Sequence, residues 1–234
     1  MKVALLYSGN FRTFNECAIN HLNFFDQLFD QIDVYFSTWD KLNYTPWLND
    51  PIHFFVKDRI PNESIITEDI IKGYIPEKWT IKFIEIDSYD QVDFSNYTEK
   101  EKQLLYQYYK IDKCFKLVPK TNDYDLLIRI RPDITLNNQP SKDFINEIKN
   151  TNSILFNSNV WYDYPHKNND INEMIWLCDY NMMEKTSKIF DNFDNIKNML
   201  GDNIYGEAVC YYNLILENIK DNIRLFDFSY NVIR

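Results

Sequence analysis

The chemically most pointed stretch of the sequence is Asp123-Tyr124-Asp125-Leu126-Leu127-Ile128-Arg129-Ile130-Arg131-Pro132-Asp133. Arg129 and Arg131 are two positions apart, so in a strand they project to one face. Two guanidiniums on one face of an otherwise apolar strand are costly unless anions meet them. The anions are either carboxylates, which would make a structural network pinning the strand end, or a phosphate-bearing ligand. Asp133 follows on the loop, placed to reach a metal ion or a sugar hydroxyl.

A second group is Ser8-Gly9-Asn10-Phe11-Arg12-Thr13. Gly9 permits a tight turn or a close backbone approach to a ligand. A helix start after it would offer N–H groups and a positive dipole end to an anion, and Arg12 adds a cation suited to a diphosphate. The segment fits neither the dinucleotide fingerprint nor the phosphate loop. Without other support it reads as an ordinary strand–turn–helix with a surface arginine.

Two carboxylates are candidates for taking a proton from a reacting hydroxyl. Glu207, in Tyr205-Gly206-Glu207-Ala208, opens a helix, with Gly206 leaving room beside it. The alternative role for Glu207 is a favourable charge at a helix N-terminus. Asp170 lies in a polar loop, Lys167-Asn168-Asn169-Asp170-Ile171-Asn172, where it reaches sugar hydroxyls or is a solvated turn residue. The run Trp161-Tyr162-Asp163-Tyr164-Pro165-His166 supplies rings for a carbohydrate platform or for packing, and the region of Trp39, Tyr44 and Trp47 is open in the same way. His166 is either a metal ligand or structural. Lys110 and Lys113 either approach a ligand or are solvated.

The elements that must position these groups alternate. The apolar run Val3–Tyr7 ends at Ser8-Gly9 and reads as a buried, parallel strand. Thr13 is placed to cap a helix running to about Gln31, and Asp33–Thr38 is a second strand. Asp40–Arg59, with two prolines, reads as an irregular excursion. A short helix over Glu68–Tyr74 and a strand over Thr80–Ile86 follow. Thr98 with Glu101 forms a capping box for a long helix through Val118. Tyr124–Arg131 is a central strand, stopped by Pro132. Helices over Ser141–Lys149, Asn181–Phe193 and Ile204–Ile219, and strands over Ser153–Asn157, Glu173–Leu177 and Arg224–Phe228, complete the pattern. The order predicts one α/β domain with a mostly parallel central sheet flanked by helices. Ligands of such sheets bind at the carboxyl ends of strands, where both arginine-bearing segments fall.

Composition excludes several classes. The net charge of −10 over 234 residues argues against a nucleic-acid binder, while a local arginine cluster can still hold a small anion. With 17 Tyr and 17 Phe the chain has ample rings for an aromatic core. Cys17, Cys114, Cys178 and Cys210 have no zinc-ligand spacing and read as buried free thiols of a reducing compartment. No apolar run reaches membrane length, so a cytoplasmic protein is expected, in the host cytoplasm if viral.

The segments Ser8–Thr13 and Tyr124–Asp133, with the helix Gln103–Lys116 before the second, resemble the glycosyltransferases of the GT-A fold found in bacterial surface-polysaccharide synthesis and in large DNA viruses and phages. The resemblance spans most of the chain through short motifs. It implies a GT-A-like single domain over residues 1–234. About 1–135 would be a Rossmann-like nucleotide-sugar-binding half, and about 136–234 an acceptor and catalytic half. It further implies a UDP- or GDP-sugar donor held by Ser8, Gly9, Asn10, Arg12, Gln107, Lys113, Arg129, Arg131 and Asp133, a glycan acceptor, and catalysis by Glu207 and Asp170. Asp133 matches the last aspartate of the family's Asp-x-Asp, and Arg131 replaces the first. Asp133 alone would then anchor Mn²⁺ or Mg²⁺, or the arginines would neutralise the diphosphate without a metal. A carboxylate base points to inversion at the sugar. A sugar-nucleotide nucleotidyltransferase and a non-catalytic nucleotide- or glycan-binding module are the competing expectations.

Overall fold

In the computed structural model, the described residues are 1–41, 64–120, 123–157, 171–201 and 204–233. The run Lys2–Ser8 (β1) is buried on both faces and is an interior strand of the main sheet, beside its middle strand. The chain then forms α1 (Phe14–Phe25), β2 (Gln31–Trp39), α2 (Glu68–Tyr74), β3 (Thr80–Asp87), α3 (Glu99–Lys116), β4 (Leu126–Ile130) and β5 (Ile134–Thr135). It continues through α4 (Lys142–Asn150), β6 (Ile154–Asn157), β7 (Asn172–Cys178), α5 (Tyr180–Ser187), α6 (Phe193–Leu200), α7 (Gly206–Leu216), β8 (Ile223–Phe226) and β9 (Asn231–Val232).

Seven strands form one sheet in the order β3-β2-β1-β4-β7-β6-β8, and β5 pairs with β9 in a small second sheet. Within the large sheet only β7 runs against its neighbours. This is the mixed α/β domain with a mostly parallel, helix-flanked sheet that the alternating pattern predicts. One face packs on α1, α2 and α4 through Leu5, Val34, Ile128 and Leu177. The other packs on α3, α5, α6 and α7 through Leu6, Tyr35, Leu127 and Trp176. The two sets alternate along each strand, as a sheet covered on both faces requires. All four cysteines are buried and free. Among the described residues no helix is long and apolar enough to cross a membrane.

Five elements differ from expectation: α1, α5, α6, β5 and β9. α1 stops at Phe25 rather than Gln31, because Asp30 and Gln31 N–H groups both bond Met1 O and bring Gln31 beside Lys2. Leu28 and Phe29 are still buried, so their near-helical spacing marks burial and not helix. Nor does Thr13 cap α1; its hydroxyl donates to Ile233 O (2.6 Å). The expected helix over Asn181–Phe193 stops at Ser187. Asn213 Nδ2, on α7, donates to Lys185 O (3.3 Å) and Thr186 O (3.0 Å), so the last carbonyls of α5 are satisfied without another turn. α6, β5 and β9 were not expected at all. The capping box at Thr98 is present as read, and Ser141 caps α4. Most of the Asp40–Arg59 excursion, with Tyr44 and Trp47, lies outside the described residues.

Chain order along the sheet reverses between β1 and β4: β2 and β3 lie to one side of β1, later strands to the other. Crevices form at such a reversal, at the carboxyl ends of the parallel strands. The loops after β1 and β4 open there.

Candidate active site

The cleft at that reversal is lined by Ser8, Gly9, Asn10 and Arg12 after β1 and by Arg131 and Asp133 after β4. Trp39 at the end of β2 and Gln103, Tyr106 and Gln107 on α3 complete its wall. Gly9 has φ +122°, a conformation that side-chain-bearing residues rarely adopt, and its N–H bonds Ser37 O (3.2 Å). Asn10 Oδ1 accepts from Tyr89 OH, which ties the loop to the segment after β3. Arg12 has φ +40°, a left-handed conformation costly for a non-glycine residue, and its side chain turns across to the β4 loop. The N–H groups of Phe14 and Glu16 bond to Phe11 O and Thr13 O. Those first-turn donors are therefore spent internally, and the cations of the cleft are its side chains.

Asp133 is held between two guanidiniums. Arg131 Nε and Nη2 donate to its Oδ1 (2.9 Å) and Oδ2 (2.8 Å), and Arg12 Nη1 donates to Oδ2 (2.8 Å). Burial alone would raise the Asp133 pKa, but Arg131 and Arg12 outweigh it and hold the carboxyl well below the usual range. Burial likewise opposes the charge of Arg131, and Asp133 reverses that and raises its pKa. The loop is fixed from behind. Ile233 N–H bonds Asp133 O (2.9 Å), Ile134 pairs with Val232, and His21 Nε2 lies 2.6 Å from Ile134 O. Burial pushes the His21 pKa down to about 4, against the Ile134 bond, so the ring is neutral. A neutral ring that donates from Nε2 must accept at Nδ1, which matches Tyr7 OH at 3.0 Å.

Arg129 and Arg131 have separate fates. β4 ends at Ile130, and Arg131, past it, uses its N–H on Met174 O (3.1 Å) and its side chain on Asp133. Arg129 stays inside the strand, 1% exposed, with Nε donating to Ser8 Oγ (2.8 Å) and its Cζ 5.0 Å from the Trp176 ring centre. Its Nη1 and Nη2 have no hydrogen-bond partner among the described residues. Burial lowers its pKa to about 10, with Glu173 acting the other way. Ser8 lines the cleft, so Arg129 lies one hydrogen bond behind the wall. Gln107 Nε2, on the wall itself, is also buried and unpartnered.

Glu207 is half-buried in the first turn of α7. Tyr108 OH donates to Gly206 O (3.0 Å) and Glu173 Oε2 (3.2 Å), which ties the start of α7 to the helix that carries Gln107. Lys113 is not brought to the cleft lining; it pairs with Glu85 (3.0 Å) and Asp87 (3.9 Å) on β3. Lys110 is buried against Asp87 (2.7 Å) and over Trp39. Asp170, His166 and the Trp161–His166 run lie outside the described residues.

No protein-family profile matches the sequence, and no curated protein matches it. Solved structures do match in shape. A galactosyltransferase, LgtC, in complex with donor and acceptor sugar analogues, aligns over 96% of this chain and 73% of that one, at TM-score 0.57 and 9% identity. The mannosyltransferase Ktr4p of S. cerevisiae aligns over 98% and 69%, at TM-score 0.50 and 13% identity. The chain has the GT-A glycosyltransferase fold. In that fold the resemblance of Asp133 to the last aspartate of Asp-x-Asp calls for a metal ligand. The donor set does not fit one. Both Asp133 oxygens already accept from guanidiniums, it is the one acidic residue among the described residues lining the cleft, and no group of three His, Cys, Asp or Glu among the described residues could hold a cation.

Sequence reasoning missed several wall residues. Gln103 lies four before Gln107, one helical turn away on the same face, and that spacing could have found it. Trp39, in a region that the sequence left open between a carbohydrate platform and packing, is on the wall. Glu173, which is not among the cleft-lining residues, has its signal as a charge opening an otherwise apolar strand.

Proposed function

We propose that the chain is a glycosyltransferase that moves a sugar from a UDP- or GDP-linked donor to a hydroxyl of a glycan acceptor. The observation that carries the reading is the cleft at the β1/β4 reversal of a GT-A fold, with two braced guanidiniums on its wall in a chain of net charge −10. Cations gathered against the global charge suit a diphosphate.

In this reading Ser8, Gly9, Asn10, Gln107, Arg12 and Arg131 receive the nucleotide diphosphate, with Arg129 behind Ser8. Glu207 serves as base, with Asp170 on donor-sugar or acceptor hydroxyls. The acceptor oxygen attacks the anomeric carbon as the bond from that carbon to the diphosphate oxygen breaks. Glu207 takes the hydroxyl proton, and the configuration inverts. The charge that grows on the leaving diphosphate is met by Arg12 and Arg131, which are already oriented and need little reorganisation.

The test is an assay of nucleotide release from a panel of UDP- and GDP-sugars, with and without glycan acceptors. Expected is release of UDP or GDP, with Glu207→Gln lowering kcat by about 10²–10⁴-fold at a donor KM that changes little. Release of pyrophosphate instead would assign a nucleotidyltransferase, and donor binding without turnover across the panel would assign a binding module.

A further inference from the structure

We propose that this chain binds the donor diphosphate without a divalent cation, using Arg12 and Arg131 as a guanidinium clamp for which Asp133 is the brace. The inference rests on the nucleotide-sugar reading above and specifies how that site meets its anion.

A carboxylate has roughly four lone-pair positions. Asp133 uses three on N–H groups of Arg12 and Arg131, and its side chain is 2% exposed. A cation bound at the usual metal–oxygen distance of about 2.0–2.2 Å would sit beside both guanidiniums and be repelled by them. No second carboxylate among the described cleft residues would offset that repulsion. What the wall offers instead is unused donors. Arg131 keeps Nη1, and Arg12 keeps Nε and Nη2, beyond their bonds to Asp133. Gln107 Nε2 is buried with no acceptor among the described residues. Arg12, Arg131 and Asp133 together leave one net positive charge at the cleft. The left-handed backbone of Arg12 is a strained placement that brings its guanidinium to the β4 loop, and such strain gathers at ligand sites. Holding two guanidiniums on a buried carboxylate fixes their forks before the ligand arrives, which lessens the ordering cost of binding.

The experiment is titration calorimetry of the full chain with UDP and with GDP, in excess EDTA and in excess MnCl₂, plus a spin-resonance titration of Mn²⁺ alone. Expected is binding of one of the two nucleotides with dissociation constants that agree within about threefold in EDTA and Mn²⁺, and no uptake of Mn²⁺ by the free protein. Arg12→Gln should weaken the EDTA measurement by about 10–100-fold, the usual size of a lost charge-assisted bond. Arg131→Lys, which keeps the charge and loses the fork, should weaken it too and serves if Arg12→Gln does not fold. Binding that appears only with Mn²⁺, or tightens tenfold or more with it, overturns the clamp and leaves the nucleotide-sugar reading standing. If neither nucleotide binds in either condition, both fall.

Discussion

Asp133 and Glu173 are buried carboxylates near the same end of β4, and their surroundings differ in kind. Asp133 accepts three charge-assisted bonds from two guanidiniums. Glu173 accepts from the Tyr108 hydroxyl, whose single proton is shared with Gly206 O, and makes no ion pair among the described residues although Arg129 is the buried cation whose charge it supports. The Asp133 carboxylate is held on both oxygens by guanidiniums and so acts as a rigid brace. At the Glu173 corner, donors are left over among the described residues: two nitrogens of Arg129, and Trp176 Nε1 beside it, have no partner there. Buried donors without acceptors cost stability. The comparison therefore separates a buried carboxylate that fixes its cations in place from one that leaves the buried donors around it unmatched among the described residues.

The strongest way to break this contrast is to remove the brace. Asp133→Ala leaves two guanidiniums facing each other and should cost about 3–4 kcal/mol in urea unfolding. A cost under about 1 kcal/mol would show that Arg12 and Arg131 simply turn to solvent. A second measurement sharpens the same corner through His21. Its pKa falls from 6.5 unfolded to about 4 folded. The unfolded state therefore binds more protons between those values, so stability is full above pH 6.5 and declines as pH drops toward 4. At about 1.4 kcal/mol per unit the loss approaches roughly 3 kcal/mol. His21→Gln should flatten the melting-temperature profile over that window; an unchanged slope would assign the loss to other groups.

The Glu173 corner is probed by size. A Cβ on Gly206 would lie 2.9 Å from Glu173 Oε2. Gly206→Ala should then cost about 1–3 kcal/mol as the carboxylate gives up its Tyr108 bond. In the Glu173→Ala background the same change should cost much less, and equal costs in both backgrounds would remove steric contact as the cause. The smallest expected effect is Arg129→Met. Replacing an under-satisfied buried cation by an apolar side chain of similar length should change unfolding free energy by about 1 kcal/mol or less. A loss as large as that of Asp133→Ala would mean that Ser8 and Trp176 already satisfy Arg129.

Much of this was readable along the chain. β1 and β4 are near-continuous apolar runs, as strands buried on both faces must be. Thr98–Glu101 and Ser141 carry their caps in the local pattern. Both arginine-bearing segments were expected at strand ends, and there they meet. The rest was not readable, for identifiable reasons. Thr13 has the right type for a cap, but a carbonyl 220 residues away takes its hydroxyl. α5 ends early because Asn213, on another helix, takes its carbonyls. β9 is two residues long, too short for any periodicity, and exists only because Ile134 gives it a partner.

The residues in order were enough to set the alternation of strands and helices, and to put Arg129, Arg131 and Asp133 at the close of a buried strand. Side-chain period and proline chemistry act over a few neighbours and are written locally. Only the folded chain decided which charge each arginine meets. Arg12 comes to Asp133 from 121 positions away, Arg131 turns to it from just past the strand, and Arg129, two residues earlier, is left inside with Ser8 and Trp176. Electrostatic pairing depends on distances of a few ångströms between elements far apart in sequence, and β1 packed beside β4 sets those distances.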